Sequence, residues 1–311
     1  MVSRVVLSAP ATIANLGPGF DVFGLALAEP FDVVEARVSK SGIKITDITG
    51  VGAASLPRDP DLNTVGIAAA KAMELIGCER GLELKIKKGI KPSGGMGSSG
   101  AGAAAGAVAV NELFGGGLSK RELIEAAAVA EAAVAGSAHY DNVTPAIVGG
   151  FTIVASIEPF EYLALQPPKM KIVIAQPVIE VSTRKAREIL PKEVPLRDAV
   201  ANVGRASAMV AALNVKDLAT FGRCMVDSIA EPAREHLILG FSEVKRAAIE
   251  AGALGAAMAG SGPAVFAITK PRVNVKKVAN AMSGAFKSAG LKCATIITSP
   301  GQGVRILKKR W

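Results

Sequence analysis

The stretch Lys91-Pro-Ser-Gly-Gly-Met-Gly-Ser-Ser-Gly-Ala101 is rich in glycine and serine, and its composition suits anion binding. Glycines let a backbone approach a ligand closely and adopt positive φ. The first N–H groups of a helix lack intrahelical partners, and the helix dipole adds partial positive charge there. Ser98 and Ser99 add hydroxyls able to bond phosphate oxygens or a metal. A nucleotide phosphate suits such a junction. The common P-loop is excluded, because it needs a lysine between its last glycine and the Ser/Thr, whereas Gly97 is followed directly by Ser98. The alternative is a flexible turn before an alanine-rich helix.

Other polar residues stand out against apolar surroundings. Glu131 is alone in Val129-Ala-Glu-Ala-Ala-Val134. A buried carboxylate needs a partner, and Mg²⁺ takes one or two carboxylates plus substrate phosphates; a solvent-facing glutamate is the other reading. His139, Asp141 and Asn142 fall within four positions on what reads as a loop, where function concentrates. Asn15 and Asp21 flank the turn Gly17-Pro-Gly19, either lining a site or bonding their own backbone. Asn63 suits a helix N-cap, with a nucleotide contact as the second option.

The elements that must position these groups alternate between strand and helix signals. Leu82–Lys87 alternates as a half-buried strand before the glycine-rich loop, and the small-residue run Ala103–Val110 continues as a helix to Phe114, stopped by Gly115. Strands are expected at Val2–Leu7, at Phe31–Val38 and Ile43–Ile48 as a hairpin across Ser41-Gly42, and at Phe151–Ser156. Asn63–Ile76 reads as a helix, and Ser119-Lys-Arg-Glu122 is a capping box opening a helix to about Ala135. Beyond a linker-like or hairpin segment at 159–168 come a strand from Lys171, a helix capped by Ser182-Thr183 carrying Arg187, and helices at Leu196–Leu213 and Val215–Ser228. Glu231-Pro-Ala-Arg234 starts another helix, and a second glycine-rich turn precedes a strand Ala264–Ile268, a helix Val275–Ser288 and a strand Cys293–Thr298.

At 311 residues the chain predicts two domains, set here at 1–160 and 161–311. Half the residues are hydrophobic and only 4% aromatic, so the cores must be aliphatic. The net charge of +9 is dispersed, which argues against nucleic acid and suits an anionic substrate. The dense run Lys308-Lys-Arg310 reads as a solvated tail. Three cysteines without paired spacing exclude a zinc site and a disulfide framework, and no apolar run reaches the roughly 18 residues of a membrane span, so a cytoplasmic protein is expected.

Three motifs spread along the chain resemble the GHMP small-molecule kinase superfamily, named for galacto-, homoserine, mevalonate and phosphomevalonate kinases. They are Ala9-Pro-Ala-Thr-Ile-Ala-Asn-Leu-Gly-Pro-Gly-Phe-Asp21, Pro92–Ala101, and Gly255–Phe266 with Gly260-Ser-Gly-Pro263. His139-Tyr-Asp-Asn-Val-Thr-Pro145 and Glu231-Pro-Ala-Arg234 are similar to segments of the homoserine-acting branch.

The resemblance implies an α+β fold of two domains, an N-terminal one like ribosomal protein S5 domain 2 and a ferredoxin-like C-terminal one. It implies ATP-dependent phosphorylation of L-homoserine to O-phospho-L-homoserine in threonine biosynthesis, with Mg²⁺; a kinase of another small alcohol such as shikimate, or a silent ligand sensor, are the alternatives. No nucleic-acid or membrane partner is expected from the dispersed charge and the lack of a long apolar run, and a homodimer is allowed. Carried over by motif, Asn63, Lys91, Pro92, Ser93, Gly94, Gly95, Met96, Gly97, Ser98, Ser99, Gly100 and Ala101 form the nucleotide site, with Ser98 and Glu131 on the metal. Asn15, Asp21, His139, Asp141, Arg187, Arg234 and Gly260 line the amino-acid site, where arginine's planar fork suits a carboxylate.

The sequence departs from the superfamily pattern in places. Met96 replaces a usual leucine, Ala259 and Gly100 replace serines, and Thr12 stands where mevalonate-type members have a lysine. Without that lysine–aspartate pair, no dedicated carboxylate base is expected. Asn142 is then expected to position the hydroxyl for direct attack, with Ser98 and Glu131 completing the catalytic set.

Overall fold

The computed structural model describes residues 2–311. The first half contains β1 (Arg4–Ala14), β2 (Phe23–Ser39), β3 (Ile43–Gly50), α1 (Thr64–Leu75), β4 (Gly81–Lys88), α2 (Ser98–Phe114), α3 (Lys120–Ala135), α4 (Tyr140–Val148), β5 (Phe151–Ile157) and β6 (Phe160–Leu165). The second half contains β7 (Lys171–Pro177), α5 (Thr183–Glu188), α6 (Leu196–Asn214), α7 (Leu218–Arg223), α8 (Ala230–Arg234), α9 (Phe241–Glu250), β8 (Gly255–Met258), β9 (Val265–Thr269), α10 (Val275–Ser288), β10 (Cys293–Thr298) and β11 (Arg305–Arg310).

A seven-stranded sheet is ordered β11-β1-β2-β4-β3, with the β5–β6 hairpin joined to the start of β2. A four-stranded antiparallel sheet is ordered β10-β7-β9-β8. The expected hairpin between β2 and β3 does not form: β4 inserts between them, antiparallel to β2 and parallel to β3. Alternation explains the choice, since Leu82, Leu84 and Ile86 all become buried in that register. Gly81 makes room, because a Cβ there would lie 2.3 Å from Ser39 Oγ.

Other expectations shift for local reasons. β1 runs on through Ala14, so most of the first motif is strand, and only residues 15–22 form the turn. The helix expected over 215–228 stops at Arg223, because Asp227 turns away to accept from Asn202 Nδ2 and from the amides of Ile229, Ala230 and Glu231. The segment Lys308-Lys-Arg310 is not a free tail but an edge strand on β1, and Lys309 pairs with Glu112. The expected boundary at residue 160 falls at the start of β6, which belongs to the first sheet; the chain crosses to the second sheet over residues 166–170 and returns to the first at β11.

Helices α1, α2 and α4 pack on the first sheet, and α3 packs over these helices. The small residues of α2 let α1 approach: a Cβ at Gly106 would meet Val65 O at 2.2 Å. The second sheet is apolar on both faces. Ile172, Ile174, Phe266 and Ile268 join the core of the first half, while Val173, Ala175, Val265 and Ala267 pack under α9 and α10. One apolar core therefore continues from the first sheet to the second, and it fixes the two halves against each other at the cleft.

Candidate active site

A cleft of about 700 Å³ lies where the two halves meet. Its first wall is the loop between β4 and α2. The loop is anchored by a buried ion pair, in which Lys88 Nζ bonds Asp32 and also donates to Ser98 O at 3.2 Å. Asp32 Oδ1 accepts from the amides of Gly89 (2.9 Å) and Ile90 (3.0 Å). Burial pushes the Asp32 carboxyl above its ordinary pKa, and Lys88 with the two amides pulls against that shift.

Farther along, Thr12 N donates to Met96 O at 3.1 Å, Ser98 Oγ to Ile90 O at 3.1 Å and Gln176 Nε2 to Gly94 O at 3.0 Å. The loop carbonyls and the Ser98 hydroxyl proton are thus turned toward protein. The free amides at the start of α2 are left for an anion. Gly97, at the N-cap, has φ +60°, and a Cβ there would lie 2.0 Å from Thr12 Oγ1 and 2.7 Å from Asn142 Oδ1. Only glycine fits both the conformation and the space.

The second wall comes from α3 and α4. Asp141 and Asn142 lie not on a loop but in the first turn of α4, with His139 at its N-cap position. The helix starts there because Asn142 N and Val143 N both bond His139 O. Glu131 is 2% exposed; its Oε2 lies 3.0 Å from His139 Nδ1, and its Oε1 is buried without a hydrogen-bond partner. Burial works to lower the His139 pKa, but the hydrogen bond and charge of Glu131 outweigh it and raise the value. Burial, with Asp21 adding repulsion, raises Asp141 to about 7. Thr12 Oγ1 donates to Asn142 Oδ1 at 2.9 Å, and Asn142 Nδ2 reaches Asp141 Oδ1 at 3.3 Å. The threonine in the expected lysine position therefore fixes the amide orientation of Asn142.

The third wall is charged. Arg187 Nη2, from α5, donates to Asp21 Oδ1 at 2.9 Å and Oδ2 at 2.8 Å. Arg234, from α8, is buried and donates from Nε to Ala186 O at 2.8 Å. Burial lowers its pKa. Asn15 ties two turns together: Nδ2 donates to Gly260 O at 2.9 Å and Oδ1 accepts from Asp21 N at 3.0 Å.

Most of the expected site residues line this one cleft: Asn15, Asp21, Asn63, Pro92 to Gly95, Gly97 to Ser99, Glu131, His139, Asp141, Asn142, Arg187, Arg234 and Gly260. Lys91, Met96, Gly100 and Ala101 do not line it: the last three are buried in the protein and Lys91 is half-buried. Asn63 caps α1 through Val65 N at 3.0 Å and donates to Pro57 O at 2.8 Å, so its side chain is engaged structurally. Sequence reasoning missed Asp32, Lys88, Gln176 and Phe20. Their only signals were an acid and a lysine in the inward phase of two alternating strands, Asp32 with Val34 and Ala36 and Lys88 with Leu84 and Ile86, a polar residue in a buried strand and one aromatic in a glycine turn.

The GHMP kinase N-terminal domain family matches residues 63–150 and the GHMP kinase C-terminal family residues 209–288. Homoserine kinase of Methanococcus maripaludis is 47% identical over 86% of this chain and 89% of its own length. Homoserine kinase of Pyrococcus abyssi is 42% identical over 96% and 97%. The solved homoserine kinase of Cytophaga hutchinsonii superposes with a TM-score of 0.93 at 39% identity, covering 99% of this chain and 98% of that one. The chain belongs to the homoserine kinase family. As a GHMP kinase it has the superfamily's two-domain α+β architecture, shared with the solved L. major mevalonate kinase at 16% identity and a TM-score of 0.74. Among the described residues no helix is long and apolar enough to cross a membrane, and no three His, Cys, Asp or Glu cluster as a metal site. A kinase metal held largely by substrate phosphates needs no such cluster.

Proposed function

We propose that this chain transfers the γ-phosphoryl group of ATP to the hydroxyl of L-homoserine, giving ADP and O-phospho-L-homoserine. The observation that carries this reading is convergence. The amide-rich start of α2, the oriented Asn142 amide and two arginines meet in one cleft. The loop from Gly94 to Ser99 cradles the phosphates, and the wall at Asn63 and Pro57 receives the rest of the nucleotide.

Magnesium fits the donor set. The buried, unpartnered Oε1 of Glu131 and the hydroxyl oxygen of Ser98 would hold it, and when bound it would neutralise phosphate charge. The amino acid lies toward Asp21, His139 and Asp141, with its carboxylate on Arg187 and Arg234. Asn142 Nδ2 holds the substrate hydroxyl oxygen in line with the γ-phosphorus. The new O–P bond forms as the bond to the β-phosphate oxygen breaks, and the hydroxyl proton leaves late, to a phosphoryl oxygen. No carboxylate base is required, because positioning and charge stabilisation supply most of the rate in such transfers.

A coupled ADP-release assay across homoserine, shikimate, mevalonate and galactose tests the proposal. Turnover with homoserine well above the others is expected. Preference for another alcohol, or nucleotide binding without turnover, overturns it.

A further inference from the structure

The two arginines of the third wall meet on one aromatic ring. Phe20 sits in the turn between β1 and β2 and lines the cleft. The guanidinium carbon of Arg187 lies 5.6 Å from the ring centroid, and that of Arg234 lies 5.2 Å from it. Phe20 is the residue before Asp21, whose carboxylate holds Arg187.

Its turn is rigid. Asn15, Leu16 and Asp21 take positive φ of 71°, 50° and 56°. Gly19 N bonds Asn15 O at 3.1 Å, and Phe23 N bonds Gly19 O at 2.8 Å. A Cβ at Gly19 would collide with the Phe23 ring at 2.1 Å, so only glycine lets the turn close. The ring of Phe20 is therefore carried on a fixed backbone, while both arginines arrive from the second half of the chain.

Two guanidinium groups side by side repel each other, and Arg234 is largely removed from water as well. Asp21 neutralises one of them. Asp141 attracts both from a distance, and Asp21 and Asp227 also attract Arg234. The negative face of the Phe20 ring is the group in direct contact with both cations, and it holds them without consuming their N–H donors. An arginine held by a π face keeps its fork free for a carboxylate; one held by another carboxylate does not.

We propose that Phe20 is a positioning residue that sets the guanidinium groups of Arg187 and Arg234 for the carboxylate of the amino-acid substrate. Through them it makes the enzyme select substrates that carry that carboxylate. This rests on the phosphotransfer reading above.

The test compares wild type, Phe20→Leu and Phe20→Tyr with homoserine and with 2-amino-1,4-butanediol, which has a hydroxymethyl group in place of the carboxylate. Leucine keeps apolar bulk and removes the π face; tyrosine keeps the face. For Phe20→Leu we expect KM for homoserine to rise about tenfold, with kcat and KM for ATP within about twofold of wild type. The preference in kcat/KM for homoserine over the diol should shrink by a similar factor, and Phe20→Tyr should restore both. A packing defect would instead lower kcat/KM for both substrates together and leave the preference intact, which overturns the inference. So does an unchanged KM in Phe20→Leu. Absence of homoserine turnover in wild type would instead defeat the phosphotransfer reading.

Discussion

The two ends of the cleft are built on different physical plans. At the phosphate end the recognition groups are backbone amides, and nearly every neighbouring polar group has a partner within the protein: Met96 O on Thr12 N, Gly94 O on Gln176, and Asp32 on Lys88 and two amides. At the proposed amino-acid end the recognition groups are charged side chains, of which Arg187 and Asp21 satisfy each other. The first site is complete before its ligand arrives. The second holds an internal ion pair as a stand-in, which a bound zwitterion would exchange for its own charges. Perturbing the first should damage catalysis and folding; perturbing the second should chiefly change affinity and selectivity.

The largest effect should come from Gly97→Ala. The φ of +60° and the 2.0 Å approach to Thr12 Oγ1 leave no room for a methyl group. We expect kcat/KM to fall by roughly a thousandfold, with nucleotide binding weakened in titration calorimetry. Asn142→Ala should follow, with kcat down about a hundredfold or more and both KM values nearly unchanged; retention of normal kcat would remove Asn142 from its role. Lys88→Met sharpens the stability side of the contrast. It leaves Asp32 buried without its cation, so the unfolding free energy should drop by about 3–5 kcal/mol in a denaturant titration.

At the amino-acid end the effects should be smaller and more selective. Arg187→Lys keeps the charge and loses the planar fork, so KM for homoserine should rise about tenfold while KM for ATP holds.

The pH dependence gives a further separation. The Asp141 pKa is raised by burial, and then by Asp21, to about 7 in the folded chain, from 3.8. The folded state therefore holds this proton more tightly than the unfolded one. Its contribution to stability is fully present below pH 3.8 and is lost as pH rises to about 7. Asp141→Asn should flatten that part of a plot of Tm against pH; an unchanged slope would show that Asp141 does not titrate there.

What was legible in the sequence was local. A strand, a glycine-rich loop and a helix start can be read from neighbouring residues, and so can the capping box at Ser119 and Glu122. What was not legible joins distant positions. Asp32 and Lys88 are 56 residues apart, and Thr12 and Asn142 are 130 apart. They meet only because β1, β2 and β4 lie side by side and α4 packs across them. The insertion of β4 between β2 and β3 was hidden for the same reason, since the Ser41-Gly42 turn looks like a hairpin until the competing register is known. The strand at 305–310 has no alternation to reveal it, as all six of its residues are exposed on the sheet edge.

We propose that one cleft holds a nucleotide on the α2 amides and an amino acid in exchange for the Asp21–Arg187 pair, with Asn142 between them. A crystal structure with a non-hydrolysable ATP analogue, Mg²⁺ and homoserine tests it most directly. Phosphate oxygens are expected on the amides of residues 94–99, the substrate hydroxyl on Asn142, and the Asp21–Arg187 pair opened around the amino acid. A nucleotide bound away from this loop, or homoserine bound with that pair intact, would contradict it.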